Sequence, residues 1–250
     1  MDQHSTPPTV NPRVNELLAN LPSHEYEKLT AHMELVSLPK GQDLFLDGQI
    51  PEHIHYPVGA IVSMMRDMPD GFSVETYMLG RSNAVGLSGL NGFNYFRANV
   101  RHSGLAYRMP LPTLRRLMPQ CPVHAATITS TLVRMIMQLT QAVVCGKHHS
   151  VEQQLIRWML VTLDRVLEPV IQSTHQEISE RLGFRREAIT LALGKLTALG
   201  YISPRRGAIE VTQREGLEAL VCDCYWMGQQ KIKPDFGKTK MTSEALCFDE

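Results

Sequence analysis

The spacing of apolar residues changes along the chain, and each change predicts a different kind of element. From residue 13 to 36 they fall at helical intervals: Val14, Leu17, Leu18 and Leu21, then Tyr26, Leu29 and Met33. Pro22-Ser23 interrupts the run, with Ser23 placed to cap a second short helix. Between 37 and 109 the pattern turns to short β-prone runs at Leu44–Leu46, Ile54–Tyr56, Ala60–Val62, Val74–Met78 and Ala106–Met109. Turn residues separate them, among them Lys40-Gly41, Asp47-Gly48, Pro69-Asp70-Gly71, Gly86, Gly89 and Gly92. Short strands spaced by turns predict a β-sandwich or barrel, with Asp70-Gly71 as its best hairpin signal.

Helical spacing returns at 111–118, and Pro122 opens a longer helix. Its positions Ala125, Ile128, Leu132, Met135, Leu139 and Ala142 alternate steps of three and four, which is a heptad seam. Two readings fit. One is a homodimeric coiled coil with Ile128, Leu132, Met135 and Leu139 at the interface; the other is an amphipathic helix buried on its own domain. The run Cys145-Gly146-Lys147-His148-His149-Ser150 then breaks the pattern and marks a hinge. A helix over 151–167 turns Leu155, Trp158, Met159, Leu163 and Val166 inward, and Leu217, Leu220 and Val221 predict a last helical turn.

Residues 173–211 carry the most specific pattern. Thr174 and Glu177 have capping-box spacing, Ile178 and Leu182 share a helical face, and Gly183 follows where a helix commonly stops. A second helix starts near Arg185, with Ile189, Leu193 and Leu196 inward and Arg185, Arg186, Glu187 and Thr190 on the opposite face. Gly200 ends it. Two β-prone runs, Tyr201–Ser203 and Ala208–Val211, flank Pro204-Arg205-Arg206-Gly207. This is a helix-turn-helix followed by a basic hairpin, whose second helix is expected in a DNA major groove. Arg186 can donate two hydrogen bonds to guanine. Glu187 can accept from cytosine, orient Arg186, or simply favour the helix start. Arg205 and Arg206 are expected on phosphate.

Composition sharpens this. The 250 residues carry zero formal net charge, so attraction to DNA has to be local. Residues 173–216 hold seven Lys/Arg against five Asp/Glu. Five scattered cysteines fit reduced thiols rather than a disulfide framework. No apolar run approaches the roughly 18 residues of a membrane span, and the N-terminus lacks a signal-peptide pattern. A cytoplasmic protein is expected.

Catalytic and metal motifs are weak. In Gly86-Leu87-Ser88-Gly89-Leu90 the glycine that a nucleophile elbow needs after its serine is Leu90, so no enzyme is expected. Cys145, His148 and His149 have metal-compatible donors, but coincidence explains them as well. Cys222-Asp223-Cys224 is too closely spaced for half a zinc knuckle. No metal or cofactor is assigned.

The order of parts resembles the Crp/Fnr family of bacterial transcription regulators. The likeness spans roughly 20–215 and is strongest at Gln176-Glu177-Ile178, Gly183, Arg186-Glu187 and Leu196 through Ser203. It is also visible at Pro39-Lys40-Gly41, Tyr56-Pro57-Val58-Gly59 and Gly86 through Val100. The resemblance implies an α+β chain: an N-terminal cyclic-nucleotide-binding-like β-roll, a long dimerisation helix and a C-terminal winged helix-turn-helix. The implied boundaries are a flexible tail at 1–12, an effector-sensing β-roll at 13–120, and the dimerisation helix and hinge at 121–149. The DNA-binding domain follows at 150–225, and an irregular tail at 226–250. Arg186 and Glu187 match base-contacting positions of the family, whereas the third, often arginine, is Leu191. Arg185 replaces the usual small hydroxyl cap. In the effector cassette Gly86 and Arg97 remain, while the glutamate is Leu87 and the serine Ala98. Cyclic AMP is therefore not the expected effector, which stays unknown. Arg97 is left to hold another anion or a structural ion pair. Implied partners are double-stranded DNA, a second copy of the chain and RNA polymerase. A ligand-sensing or scaffold protein whose helix-turn-helix contacts protein is the alternative.

Overall fold

The computed structural model describes residues 10–166 and 168–228. Most of both expected tails therefore lies outside the described residues. The chain begins with two short helices, α1 (Glu16–Ala19) and α2 (Ser23–Thr30). Asn15 caps α1 by accepting from the Leu17 N–H, and Pro22, not Ser23, stands at the N-cap of α2. The expected helical run ends earlier than the spacing suggested, because residues from Glu34 pair as a strand.

Seven strands follow: β1 (Glu34–Leu38), β2 (Asp43–Phe45), β3 (His53–Pro57), β4 (Ile61–Asp67), β5 (Ser73–Leu79), β6 (Arg97–His102) and β7 (Gly104–Pro110). They form two antiparallel sheets with orders β1-β7-β3 and β2-β6-β4-β5. Phe45, Val62, Met64, Leu79, Ala98, Val100 and Ala106 fill a core within this β-domain. The Asp70-Gly71 hairpin forms as expected between β4 and β5, with Gly71 at φ +85° and Phe72 N–H donating to Asp70 at 3.0 Å.

After α3 (Leu111–Leu117) comes α4 (Pro122–His148), a helix of 27 residues. No side chain at Cys121 caps it. Instead the buried Glu25 carboxylate accepts from the N–H groups of Val123 and His124 at 3.0 and 2.9 Å, satisfying two of the free donors of the first turn. Tyr56 and His124 meet at 3.0 Å, tying α4 to β3.

Two expectations about this helix are corrected. First, α4 is long and apolar enough by composition to span a membrane. One of its faces nevertheless packs on the chain's own β-domain. Second, the seam is not all free. Ile128 is buried in the chain's N-terminal core and Met135 packs on the β-domain core, whereas Leu132 is exposed and Leu139 half-buried. The large apolar residues left open are Val123 in the first turn and, further along, Leu132, Val133, Ile136, Met137, Val143 and Val144. Drift of a straight helix against a seven-residue repeat and the pull of the β-domain account for the rotated stripe.

The C-terminal part holds α5 (Val151–Leu163), β8 (Val170–Ile171), α6 (His175–Leu182), α7 (Arg186–Ala198), β9 (Ile202–Arg205), β10 (Ala208–Val211), α8 (Arg214–Leu220) and α9 (Cys224–Gly228). Ser150 and Gln153 make a capping box that starts α5 afresh after α4. The wing is a three-stranded antiparallel sheet, β8-β10-β9, one strand more than the sequence pattern suggested. Leu155, Trp158, Met159, Ile178, Ile189, Leu193, Leu196, Ile209 and Leu217 form its core.

Candidate nucleic-acid interface

Local chemistry fixes the two-helix unit. The Thr174 hydroxyl accepts from the Glu177 N–H at 3.1 Å, and the Glu177 carboxylate accepts from the Thr174 N–H at 2.7 Å, closing the capping box. Gly183 ends α6 at φ +71°, a conformation that side-chain-bearing residues rarely adopt. Ser179 then donates to the Phe184 carbonyl at 2.7 Å and holds the turn. Buried Ile178, Ile189, Leu193 and Leu196 press α7 onto its neighbours.

This packing leaves one face of α7 in solvent: Arg185, Arg186, Glu187, Thr190 and Leu191 are all exposed. Arg185 sits at the N-cap without a side-chain cap bond. The side chains of Arg185, Arg186 and Glu187 have no hydrogen bond or ion pair among the described residues. Thr190 is tied to His175 at 3.0 Å, and Lys195 pairs with Glu152 of α5. In the wing, the two-residue turn is Arg206-Gly207, because Pro204 and Arg205 belong to β9. Arg205 is not free as expected: its guanidinium pairs with Glu210 across the hairpin at 2.6 Å. Arg206 is exposed at the tip. A groove lined by Thr174, His175, Gln176, Arg186, Arg205 and Gly207 runs between the start of α6 and the wing.

Gly86 and Arg97, the effector-binding candidates, are both engaged within the β-domain. Gly86 adopts φ +100°, and a side chain there would meet the His53 carbonyl oxygen at 2.6 Å, so its role in this fold is close backbone packing. Arg97 holds Asp67 through two bonds of 2.7 and 2.9 Å and reaches Asp43 at 3.4 Å. The Arg97 hydrogen bonds keep the Asp67 carboxyl down at about 2. Arg97 is thus held in an ion pair with carboxylates of its own domain.

Two arrangements escape sequence reasoning because their members are far apart in the chain. The first joins the β-domain to the helix-turn-helix. The buried Glu75 carboxylate on β5 accepts from Arg101 on β6 at 2.9 Å and from Arg181 on α6 at 3.0 Å. Ser63 donates to the same oxygen, Trp158 Nε1–H donates to the other at 3.3 Å, and Arg101 lies 4.3 Å over the Trp158 ring. Burial alone would raise the Glu75 carboxyl; the two guanidinium groups outweigh it and hold it below the ordinary value.

The second is a cluster of Cys145, His149, Cys222 and Cys224 at the junction of α4, α5 and α9. Of the hinge trio considered from sequence, His148 stays outside it, and the Cys222/Cys224 pair set aside for its spacing lies within. The contact between the Cys145 and Cys222 thiols pushes one up and the other down, so the pair shares a single proton more readily than two.

Residues 153–220 match the family model of the Crp-like helix-turn-helix domain. The fold of the chain is similar to that of solved bacterial regulators. One is the c-di-GMP-responsive global regulator CLP of Xanthomonas campestris, with 18% identity, a TM-score of 0.62 and coverage of 76% of this chain and 99% of that one. A transcriptional regulator of the Crp/Fnr family from Eubacterium rectale gives 15% identity and a TM-score of 0.65 over 83% and 98% of the two chains. FixK2 of Bradyrhizobium japonicum gives 14% identity and a TM-score of 0.62 over 76% and 98%. At these identities the likeness is one of fold. No curated protein matches the chain in sequence.

Proposed function

Because the chain has the Crp/Fnr regulator fold and carries a Crp-like helix-turn-helix domain, we propose that it is a sequence-specific DNA-binding transcription regulator acting as a homodimer. The observation that carries this reading is the unpaired, exposed Arg185, Arg186 and Glu187 at the leading edge of α7, with Arg206 beside them on the wing. Elsewhere in the described chain most arginines are committed to carboxylates or carbonyls; these stand ready for a polyanion. Arg186 reads a base edge, and Arg206 meets phosphate. Arg205, held by Glu210, must exchange that partner for a phosphate or act by shaping the wing. Leu191, 64% exposed, presents apolar surface where many family members have arginine; a thymine methyl group is the base feature that suits it.

The open stripe from Leu132 to Val144 supports dimerisation through α4, which places two α7 helices about one DNA turn apart on an inverted repeat. Ile128 and Met135 hold α4 on the chain's own β-domain, and the reading takes its open stripe as a protein contact. The reading places the protein in the cytoplasm, with RNA polymerase downstream. An effector acting on the β-domain would shift the population of head orientations about α4 and α5.

Selection of duplexes from a random pool, followed by salt-titrated binding, tests the proposal. A linear fall of log affinity with log salt and an inverted-repeat consensus are expected. A monomer that ignores duplex DNA at low salt would refute it.

A further inference from the structure

We propose that Cys145, His149, Cys222 and Cys224 form a tetrahedral site for a single thiophilic divalent cation, with zinc as the best match. The inference does not depend on whether the chain reads DNA. All four donor atoms lie within 4.8 Å of one another. A regular tetrahedron with Zn–S of about 2.3 Å and Zn–N of about 2.05 Å has edges of about 3.8 Å between sulfurs and about 3.5 Å between sulfur and nitrogen. The Cys145 and Cys222 sulfurs are 3.7 Å apart, and Cys224 Sγ is 3.5 Å from His149 Nδ1. These spacings are those of ligands around one small ion, and far too long for a disulfide.

The surroundings suit a charged centre. The three thiols are buried, while His149 is only half-buried and forms the rim through which an ion enters. Gln141 Nε2 donates to Cys224 Sγ at 3.0 Å, the kind of outer contact that orients a thiolate ligand. Arg157 acts on Cys145 electrostatically, and its buried Nε has no partner among the described residues, so a cation already stands beside one of the potential thiolates. Without an ion, Cys145 and Cys222 meet each other only as weak donor and acceptor. A Cys₃His set is a closed, structural combination with no open position for substrate.

The ligands come from separate places: Cys145 and His149 from the end of α4, Cys222 from the segment after α8, and Cys224 from the start of α9. An ion here clamps the last turn of the long helix to the far end of the C-terminal domain, across the break where α5 begins.

The test uses the full chain, reduced, stripped with chelator and titrated anaerobically with Co²⁺ and then Zn²⁺. One Co²⁺ per chain is expected, with the intense visible bands of tetrahedral thiolate coordination, displaced by one equivalent of Zn²⁺. Cys222→Ser should weaken Zn²⁺ binding by more than the about 10–100-fold that loss of an outer contact costs. Cys121→Ser and Cys247→Ser should leave it unchanged. Because serine at a buried position can unfold the cluster, His149→Ala at the rim gives a second readout: it should shift the cobalt bands while circular dichroism of the apo chain stays as in the wild type. No uptake by the reduced wild-type chain, uptake that survives Cys222→Ser, or isolation only as a Cys145–Cys222 disulfide that takes up no Co²⁺ after reduction would each overturn the proposal.

Discussion

Glu75→Gln is the sharpest perturbation of this fold. In the native chain one carboxylate oxygen receives both Arg101 and Arg181, whose side chains are 3% and 9% exposed. The amide keeps the shape and removes the charge, so two buried guanidinium groups lose the carboxylate they touch and keep only the longer-range field of Glu177. One arginine nitrogen on each, Arg101 Nη2 and Arg181 Nε, already lacks a hydrogen-bond partner among the described residues, so little reserve is available locally. Removing one member of a buried ion pair costs about 3–5 kcal/mol. With a urea slope of about 2–3 kcal/mol/M, the unfolding midpoint should fall by about 1–2.5 M. Trp158 donates to Glu75 and stacks under Arg101, so its fluorescence reports the transition directly. Arg181→Met, which leaves Glu75 paired with Arg101, should cost less. The double variant should cost less than the sum of the singles by about 1 kcal/mol or more, the sign of a shared contact. A Glu75→Gln midpoint within about 0.3 M of wild type, equivalent to under about 1 kcal/mol, would refute the argument that these charges depend on one carboxylate.

Arg186→Ala should cost about 1–3 kcal/mol on the selected site and relax preference at one base pair, whereas Arg206→Ala should weaken all sequences alike and reduce the salt slope by about 1; fluorescence anisotropy across several salt concentrations separates them. Ile136→Asp, on the open face of α4, should convert a dimer to a monomer by sedimentation without lowering the melting temperature of the monomer; a dimer that persists would place the interface elsewhere. Burial, mainly, lowers His55 and His124 from 6.5 to about 4, so the unfolded chain binds protons between those values that the folded chain excludes. Stability should therefore be flat above about pH 7 and fall as pH drops from 6.5 toward 4, by up to about 3 kcal/mol per histidine. His124→Gln should flatten that decline; an unchanged pH profile would show that His124 does not titrate as the burial demands.

Local rules made the reading head legible. The Thr174–Glu177 box, the Gly183 stop and the period of Ile189, Leu193 and Leu196 are written within a few residues of each other, and each forms. The Asp70-Gly71 hairpin was equally readable. What stayed hidden depends on contacts distant in sequence. β6 is hard to read because it opens on Arg97, whose partner Asp67 lies 30 positions away. β8 is two residues long, too short for any period to show. The capping of α4 by Glu25 spans 98 positions, and the cysteine cluster joins 145 to 224. The seam of α4 was found, but its rotation was not, because the β-domain decides which side of that helix remains uncovered.

Phe72 stands at the tip of the β4–β5 hairpin, and its ring edge lies 3.4 Å from where a side chain on Gly183 would begin. Lys40 of the same domain reaches Glu177 at 3.4 Å and the Gln172 carbonyl at 3.1 Å. The hairpin thus serves as a gauge block: its length sets the tilt at which the two-helix unit is offered. In the proposed dimer, an insertion or deletion at residues 68–72 would leave the exposed side chains of α7 intact and still change the half-site separation that the pair could span.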